Sequence, residues 1–163
     1  MNKRRVKEAI TNALLKRFET AKLAAQQAHG AATNEESVAE NKYDTFGLEA
    51  SYLAHGQSQR VLECEADWLI YDRKECIGLE SDAAIGIWTL VELQLLNLTT
   101  PSSKYFFVSP CAGGLTVKVG EQSIYLVTTS SPVGKKLIGK NIGDEITLLQ
   151  GGVQIDYEVV AVS

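Results

Sequence analysis

Apolar residues recur at spacings of four and three through the first part of the chain. Val6, Ile10, Leu14, Phe18, Ala21, Ala25 and Ala28 would share one face of a helix. Phe46, Ala50, Leu53, Gln57, Val61, Cys64, Trp68 and Tyr71 form a second such series. Between them lies "NEESVAENKYDT", residues 34–45, with no apolar stripe. Two stripes around one polar segment predict an antiparallel helical hairpin of coiled-coil type. Near the polar segment the stripes are mostly alanine (Ala24, Ala25, Ala28, Ala50, Ala54). At the other end they carry Ile10, Leu14, Trp68 and Tyr71. Small residues let helices approach closely, so the hairpin should be slender at its tip and thicker at its base. A helix of about 30 residues runs roughly 45 Å, so the hairpin should project from a small globular body.

The pattern changes near residues 77–84. Gly30, Gly47 and Gly56 are the only glycines before that point, and no proline precedes it. All three prolines and ten of the thirteen glycines follow. Residues 85–96 alternate and are rich in apolar side chains, while residues 104–109, 123–128 and 156–162 are short apolar runs, so each reads as a strand. Ser131 before Pro132 reads as an N-cap followed by a first-turn proline. Leu137 and Ile138 give the helix an apolar face, and Gly139 is placed to end it. Gly143-Asp144 then turns into a further strand, and Gly151-Gly152 into the last. The fold class is therefore α+β. Residues 1–76 form a helical hairpin, and residues 84–163 form an antiparallel sheet with one short helix.

Composition narrows the function classes. Apolar residues make up 45% of the 163 and charged residues 22%, as in an ordinary soluble protein. A net charge of -4 argues against nonspecific nucleic-acid binding. No apolar run approaches the roughly 18 residues of a membrane span, and the basic start has no signal-peptide core behind it. Cys64, Cys76 and Cys111 are odd in number and lack CxxC spacing. They fit reduced cytoplasmic thiols better than a disulfide frame or zinc site. Lys3, Arg4, Arg5 and Lys7 read as a solvated helix start. The serines have no histidine near them in sequence, and "GGLTVKVG" lacks phosphate-loop spacing.

The polar segment holds the most suggestive chemistry. Glu35, Glu36, Glu40 and Asp44 fall within twelve residues, against a single Lys42. Glu36 and Glu40, and Glu40 and Asp44, have the i, i+4 spacing that shares a helical face. A solvated charged turn is the plain explanation. The alternative is a presented pair of oxygen ligands. Mg²⁺ accepts one or two carboxylates and leaves its other positions to water and phosphate. Such a pair would bind weakly alone and would complete a site whose other ligands belong to a partner.

"SSPVGKKLIGKNIGDEITLL" followed by "YEVVAV" resembles the C-terminal domain of the Gre family of bacterial transcription elongation factors. The hairpin half resembles the Gre coiled coil, and "AENKYDT" resembles its tip motif. The resemblance implies an FKBP-like C-terminal domain that docks on RNA polymerase at the rim of its secondary channel. On that pattern Ser131, Pro132, Lys135, Lys136, Ile138, Gly139 and Lys140 would face the polymerase. The hairpin would enter the channel. Glu40, with Glu36 or Asp44, and with Asn41 beside them, would help the polymerase hold Mg²⁺ and position a water. The polymerase would then cut the 3′ end of backtracked nascent RNA. On this reading the chain is a cytoplasmic factor, a monomer and not itself an enzyme. Its tip departs from the Asp-x-x-Glu-Asn of the family. Ser37 stands three residues before Glu40, Glu36 stands four before it, and Tyr43 comes one position early. Two other functions stay open: a channel-binding regulator without cleavage, and, from the FKBP-like fold alone, a prolyl isomerase.

Overall fold

The computed structural model describes residues 1–33, 45–75, 84–96 and 102–163. The chain divides into two compact units, one of residues 10–74 and one of residues 1–9 with 75–163.

The first unit holds two helices, the first of which begins within residues 1–9 of the other unit. Helix α1 spans Lys3–Thr33 and α2 spans Phe46–Asp72. Asn2 starts α1: its Oδ1 accepts from the backbone N–H of Arg4 at 2.9 Å and of Arg5 at 3.3 Å. That satisfies two donors that a helix start leaves without intrahelical partners. Phe18 of α1 stacks on Trp68 of α2, with ring centroids 5.8 Å apart. Seven residues further along α1, Ala25 shares a small crevice with Val61, seven residues back along α2. The helices therefore pair antiparallel, as the two stripes predict. Leu14, Ala21, Ala28, Cys64 and Tyr71 are buried.

The packed face of α2 departs from the expected one near its start. Phe46 and Leu53 are 58% and 56% exposed. The half-buried positions there are Gly47, Ala50 and Ala54. Ala50 and Gln57 of the expected series keep half-buried places. Burial moves from Phe46 and Leu53 to their neighbours Gly47 and Ala54, which leaves the large side chains outside.

The second unit holds a six-stranded sheet and one short helix. The strands are β1 Leu90–Leu95, β2 Ser103–Ser109, β3 Thr116–Val119, β4 Gln122–Thr128, β5 Glu145–Gln150 and β6 Val153–Val162. Helix α3, Pro132–Leu137, lies between β4 and β5 in sequence. Across the sheet the order is β3-β4-β2-β1-β6-β5. α3 touches both β4 and β5, which lie near opposite ends of that order. The sheet must therefore curl around α3. The core fills the concavity with Val91, Leu93, Phe106, Val108, Leu137, Leu148 and Val159.

The sheet is mixed rather than wholly antiparallel. β2 and β4 run parallel, with Phe106 opposite Tyr125, and the other neighbours are antiparallel. The cause is β3, a strand that the sequence reading missed inside "GGLTVKVG". β3 takes the edge in a tight hairpin with β4, opened by Gly120 at φ +63. That leaves β4 to enter between β3 and β2 in the direction of β2.

The first strand is also shorter than residues 85–96. It begins at Leu90, because residues 85–89 form a turn. Trp88 sits there at φ +72, its N–H donating to the Val108 carbonyl at 2.7 Å. A bulky side chain in that region carries strain of about 1–3 kcal/mol. The T-shaped contact of Trp88 with Phe107 helps hold it. Ile85 is tied into the fold on both sides, to the carbonyl of Lys140 and the N–H of Gly139.

Turn chemistry follows the sequence closely elsewhere. Gly151 and Gly152 are the two loop residues of the β5–β6 hairpin, with φ +57 and +84, the signs a type I′ turn requires.

Candidate functional site

Ser131 and Pro132 open α3. The Ser131 Oγ accepts from the Gly134 N–H at 3.0 Å and donates to the Thr128 carbonyl at 2.8 Å. One hydroxyl thus caps the helix and fastens it to the end of β4. Pro132 occupies the first turn, where its missing N–H costs nothing. Gly134 is required by space: a Cβ there would stand 1.9 Å from the Thr128 carbonyl oxygen. The start of α3 is therefore clamped against β4 at backbone contact.

Beside this clamp lies a cleft of about 570 Å³. Ser131, Pro132 and Val133 line it. Phe106 from β2, Tyr125 and Val127 from β4, and Leu148 and Leu149 from β5 supply the apolar walls. Phe106 and Tyr125 meet at 5.7 Å between centroids. Lys104 and Gln150 form the polar part of the lining. The Lys104 ammonium donates to Gln150 Oε1 at 2.5 Å, and Gln150 Nε2 donates to the Tyr157 hydroxyl at 2.8 Å. The ammonium also stands 5.7 Å from the centroid of the Tyr157 ring. The volume is within the range of ordinary ligand sites, about 300–1,000 Å³.

The other residues expected to face a partner lie apart from the cleft lining. Lys135 and Lys136 are exposed on α3, and the Lys136 ammonium donates to the carbonyl of Thr147 on the edge strand β5. Ile138 is 40% exposed and caps the helix end. Gly139 follows at φ +77, the left-handed position where glycine ends helices. The Gly139 N–H and the Lys140 carbonyl hold Ile85. Glu36, Glu40, Asn41 and Asp44, and with them the Mg²⁺ site, fall outside the described residues. Among the described residues no group of three His, Cys, Asp or Glu is arranged to hold a metal, and no helix is long and apolar enough to cross a membrane.

Lys104, Phe106, Tyr125, Leu148 and Gln150 were not picked out as site residues from the sequence. They belong to three strands, and only the curl of the sheet brings them together. In the fold Phe106 and Tyr125 gather at the cleft, while Trp88 pairs with Phe107, which alternates to the other face of β2. Tyr105, also on that face, donates its hydroxyl to Glu92 at 3.0 Å. Desolvation, then the hydrogen bond and charge of Glu92, raise its pKa above the usual tyrosine value.

No protein-family profile matches the chain. A stretch of 39 residues is 46% identical to the transcription elongation factor GreA of Psychromonas ingrahamii. That stretch is 24% of this chain and spans about a quarter of the relative, 24% of its length. Among solved structures, the transcription factor Gfh1 aligns over 94% of this chain and 93% of its own, at 20% identity and a TM-score of 0.42. The GreA factor homolog 1 of Thermus thermophilus aligns over 95% of each chain, at 24% identity and a TM-score of 0.39. Over that 39-residue stretch the chain is similar to a member of the Gre family of transcription elongation factors.

Proposed function

We propose that this chain is a transcription factor that binds RNA polymerase in the manner of the Gre family. Residues 84–163 are the docking part and residues 1–76 the inserted hairpin. The observation that carries this reading is the placement of Ser131 and Pro132. They combine the motif that most resembles the family with the mouth of an apolar cleft in one rigid clamp. The 39-residue similarity to GreA supports the same reading.

The hairpin supplies reach. At 1.5 Å per residue, the 31 residues of α1 run about 46 Å. Its tip would carry Glu40, with Glu36 or Asp44 and Asn41, into the secondary channel beside the polymerase's catalytic centre and the 3′ end of the nascent RNA. A Mg²⁺ shared there would polarise phosphate and lower the pKa of a water. The chain's own part would be to offer carboxylate oxygens and orient that water, so the chain assists cleavage and the polymerase performs it. The factor works as a cytoplasmic monomer.

Purified chain added to a backtracked polymerase complex is expected to speed RNA shortening, and Glu40→Ala is expected to remove that acceleration while binding persists. No shortening with the wild-type chain would refute the cleavage role. A second reading is favoured by Ser37, which stands where the family pattern has its aspartate. Here the chain occupies the channel and regulates without cleavage. It then competes with an active cleavage factor and alters initiation or pausing. A chain that fails to co-purify with polymerase would defeat both readings.

A further inference from the structure

We propose that the cleft beside Ser131 and Pro132 receives an apolar side chain from a partner segment that also carries a carboxylate, and that Lys104 reads the carboxylate. The inference rests on the docking reading above and gives that surface a chemistry.

The walls come first. Phe106, Val127 and Leu148 are buried at their base. Tyr125 and Leu149 stand at the margin 41% and 68% exposed. Large apolar side chains at the margin of a pocket are the kind of surface that a protein partner covers. The volume of about 570 Å³ is enough for bulky side chains to enter.

Charge decides what accompanies them. The chain as a whole is acidic, with a net charge of -4. Yet the only charged side chain lining the cleft, among the described residues, is that of Lys104. Lys135 and Lys136, on the exposed side of α3, add positive charge to the helix that borders it. A cleft with apolar walls and one cation selects an apolar residue next to an acid, by charge complementarity.

Lys104 is also held in place. Gln150 Oε1 accepts one of the three donors of the ammonium, and Gln150 is fixed in turn by the hydroxyl of Tyr157. Tyr157 is 2% exposed, so the chain of contacts ends in the core. A lysine already ordered loses less freedom when it meets its partner. That distinguishes Lys104 from Lys118, an exposed lysine on the edge strand β3.

The test uses the full chain and a defined probe, an acetylated and amidated octapeptide of sequence Ser-Gly-Leu-Glu-Leu-Leu-Gly-Ser. Two companion peptides replace its Glu with Gln or with Lys. Binding is read from backbone amide shifts in two-dimensional NMR. Saturable shifts are expected at Tyr125, Val127 and Leu149 with the Glu peptide. The Gln peptide should bind about two- to fivefold more weakly, the size of a partly exposed charge pair. In Lys104→Met the Glu and Gln peptides should bind alike, while Lys118→Met keeps the difference. Equal binding of the Glu and Gln peptides to the wild type would overturn the proposal. So would stronger binding of the Lys peptide, or no saturable shift at the cleft. A polymerase co-purification on the same variants separates this inference from the docking reading. If the wild type fails to bind polymerase but discriminates the peptides, the docking reading fails and the cleft chemistry stands. If polymerase binds Lys104→Met as tightly as wild type, with the same salt dependence, the docking reading stands and Lys104 loses its role.

Discussion

Gly134→Ala is expected to destabilise the protein, although the change favours helix formation. In an unconstrained helix, alanine is better than glycine by about 1 kcal/mol. Here the new Cβ would stand 1.9 Å from the Thr128 carbonyl oxygen and 2.8 Å from its carbon. Both are backbone atoms at the end of β4, so no rotamer change relieves the clash. Reaching even 3.0 Å from the oxygen takes a shift of 1.1 Å. Such a shift would stretch the 2.8 Å bond from Ser131 Oγ to Thr128 and disturb the cap that the same hydroxyl gives α3. Overpacking of this kind costs about 1–3 kcal/mol, and a lost cap costs about 1 kcal/mol more. Set against the propensity gain, the net loss is about 2 kcal/mol. Urea unfolding followed by far-ultraviolet circular dichroism would show a lower midpoint with an unchanged slope. An alanine variant as stable as wild type, or more stable, would refute the clamp, because propensity alone predicts that sign.

Further outcomes follow from other contacts. A double-mutant cycle on Phe18→Ala and Trp68→Ala should give a coupling of about 0.5–1.5 kcal/mol in urea unfolding, the value of a stacked aromatic pair; zero coupling would mean that the two helices do not meet through these rings. Tyr105 should ionise above the ordinary tyrosine value, because burial and then Glu92 favour its neutral form. In a spectrophotometric alkaline titration Tyr105→Phe should therefore remove a late-titrating group. Since the folded-state pKa is the raised one, its stabilising contribution is complete below the unfolded value of about 10. It is lost as pH climbs from there through the folded value.

Local chemistry was legible along the sequence. The two heptad-like stripes announced the helical pair, since a period near 3.6 with apolar residues on one face has few other outcomes. Ser131-Pro132, Gly139 and Gly151-Gly152 were each read correctly as a cap, a helix end and a hairpin turn. Each depends on a few adjacent residues and on backbone angles that particular residue types favour. The errors lay where distant residues compete. Phe46 and Leu53 belong to the apolar series by spacing, yet their neighbours Gly47 and Ala54 are the half-buried ones and the large side chains stay exposed. "GGLTVKVG" was weighed only for phosphate-loop spacing, although Leu115, Val117 and Val119 alternate with Thr116 and Lys118 as a short strand does, and in the fold it pairs with β4 as β3.

The sequence by itself therefore determined the two helices, the α+β order of elements and the turns, because those are set by near neighbours. It also drew attention to the acidic residues Glu36, Glu40 and Asp44, by their clustering and by the resemblance of "AENKYDT" to a family motif. Only the tertiary structure decided the rest. The parallel seam between β2 and β4 depends on which strand edges remain for pairing once β3 has joined β4. The cleft depends on the sheet curling around α3, which brings Lys104, Tyr125 and Gln150 to one place from three strands. No short-range pattern encodes that meeting, since it arises from non-local pairing and the burial of a shared core.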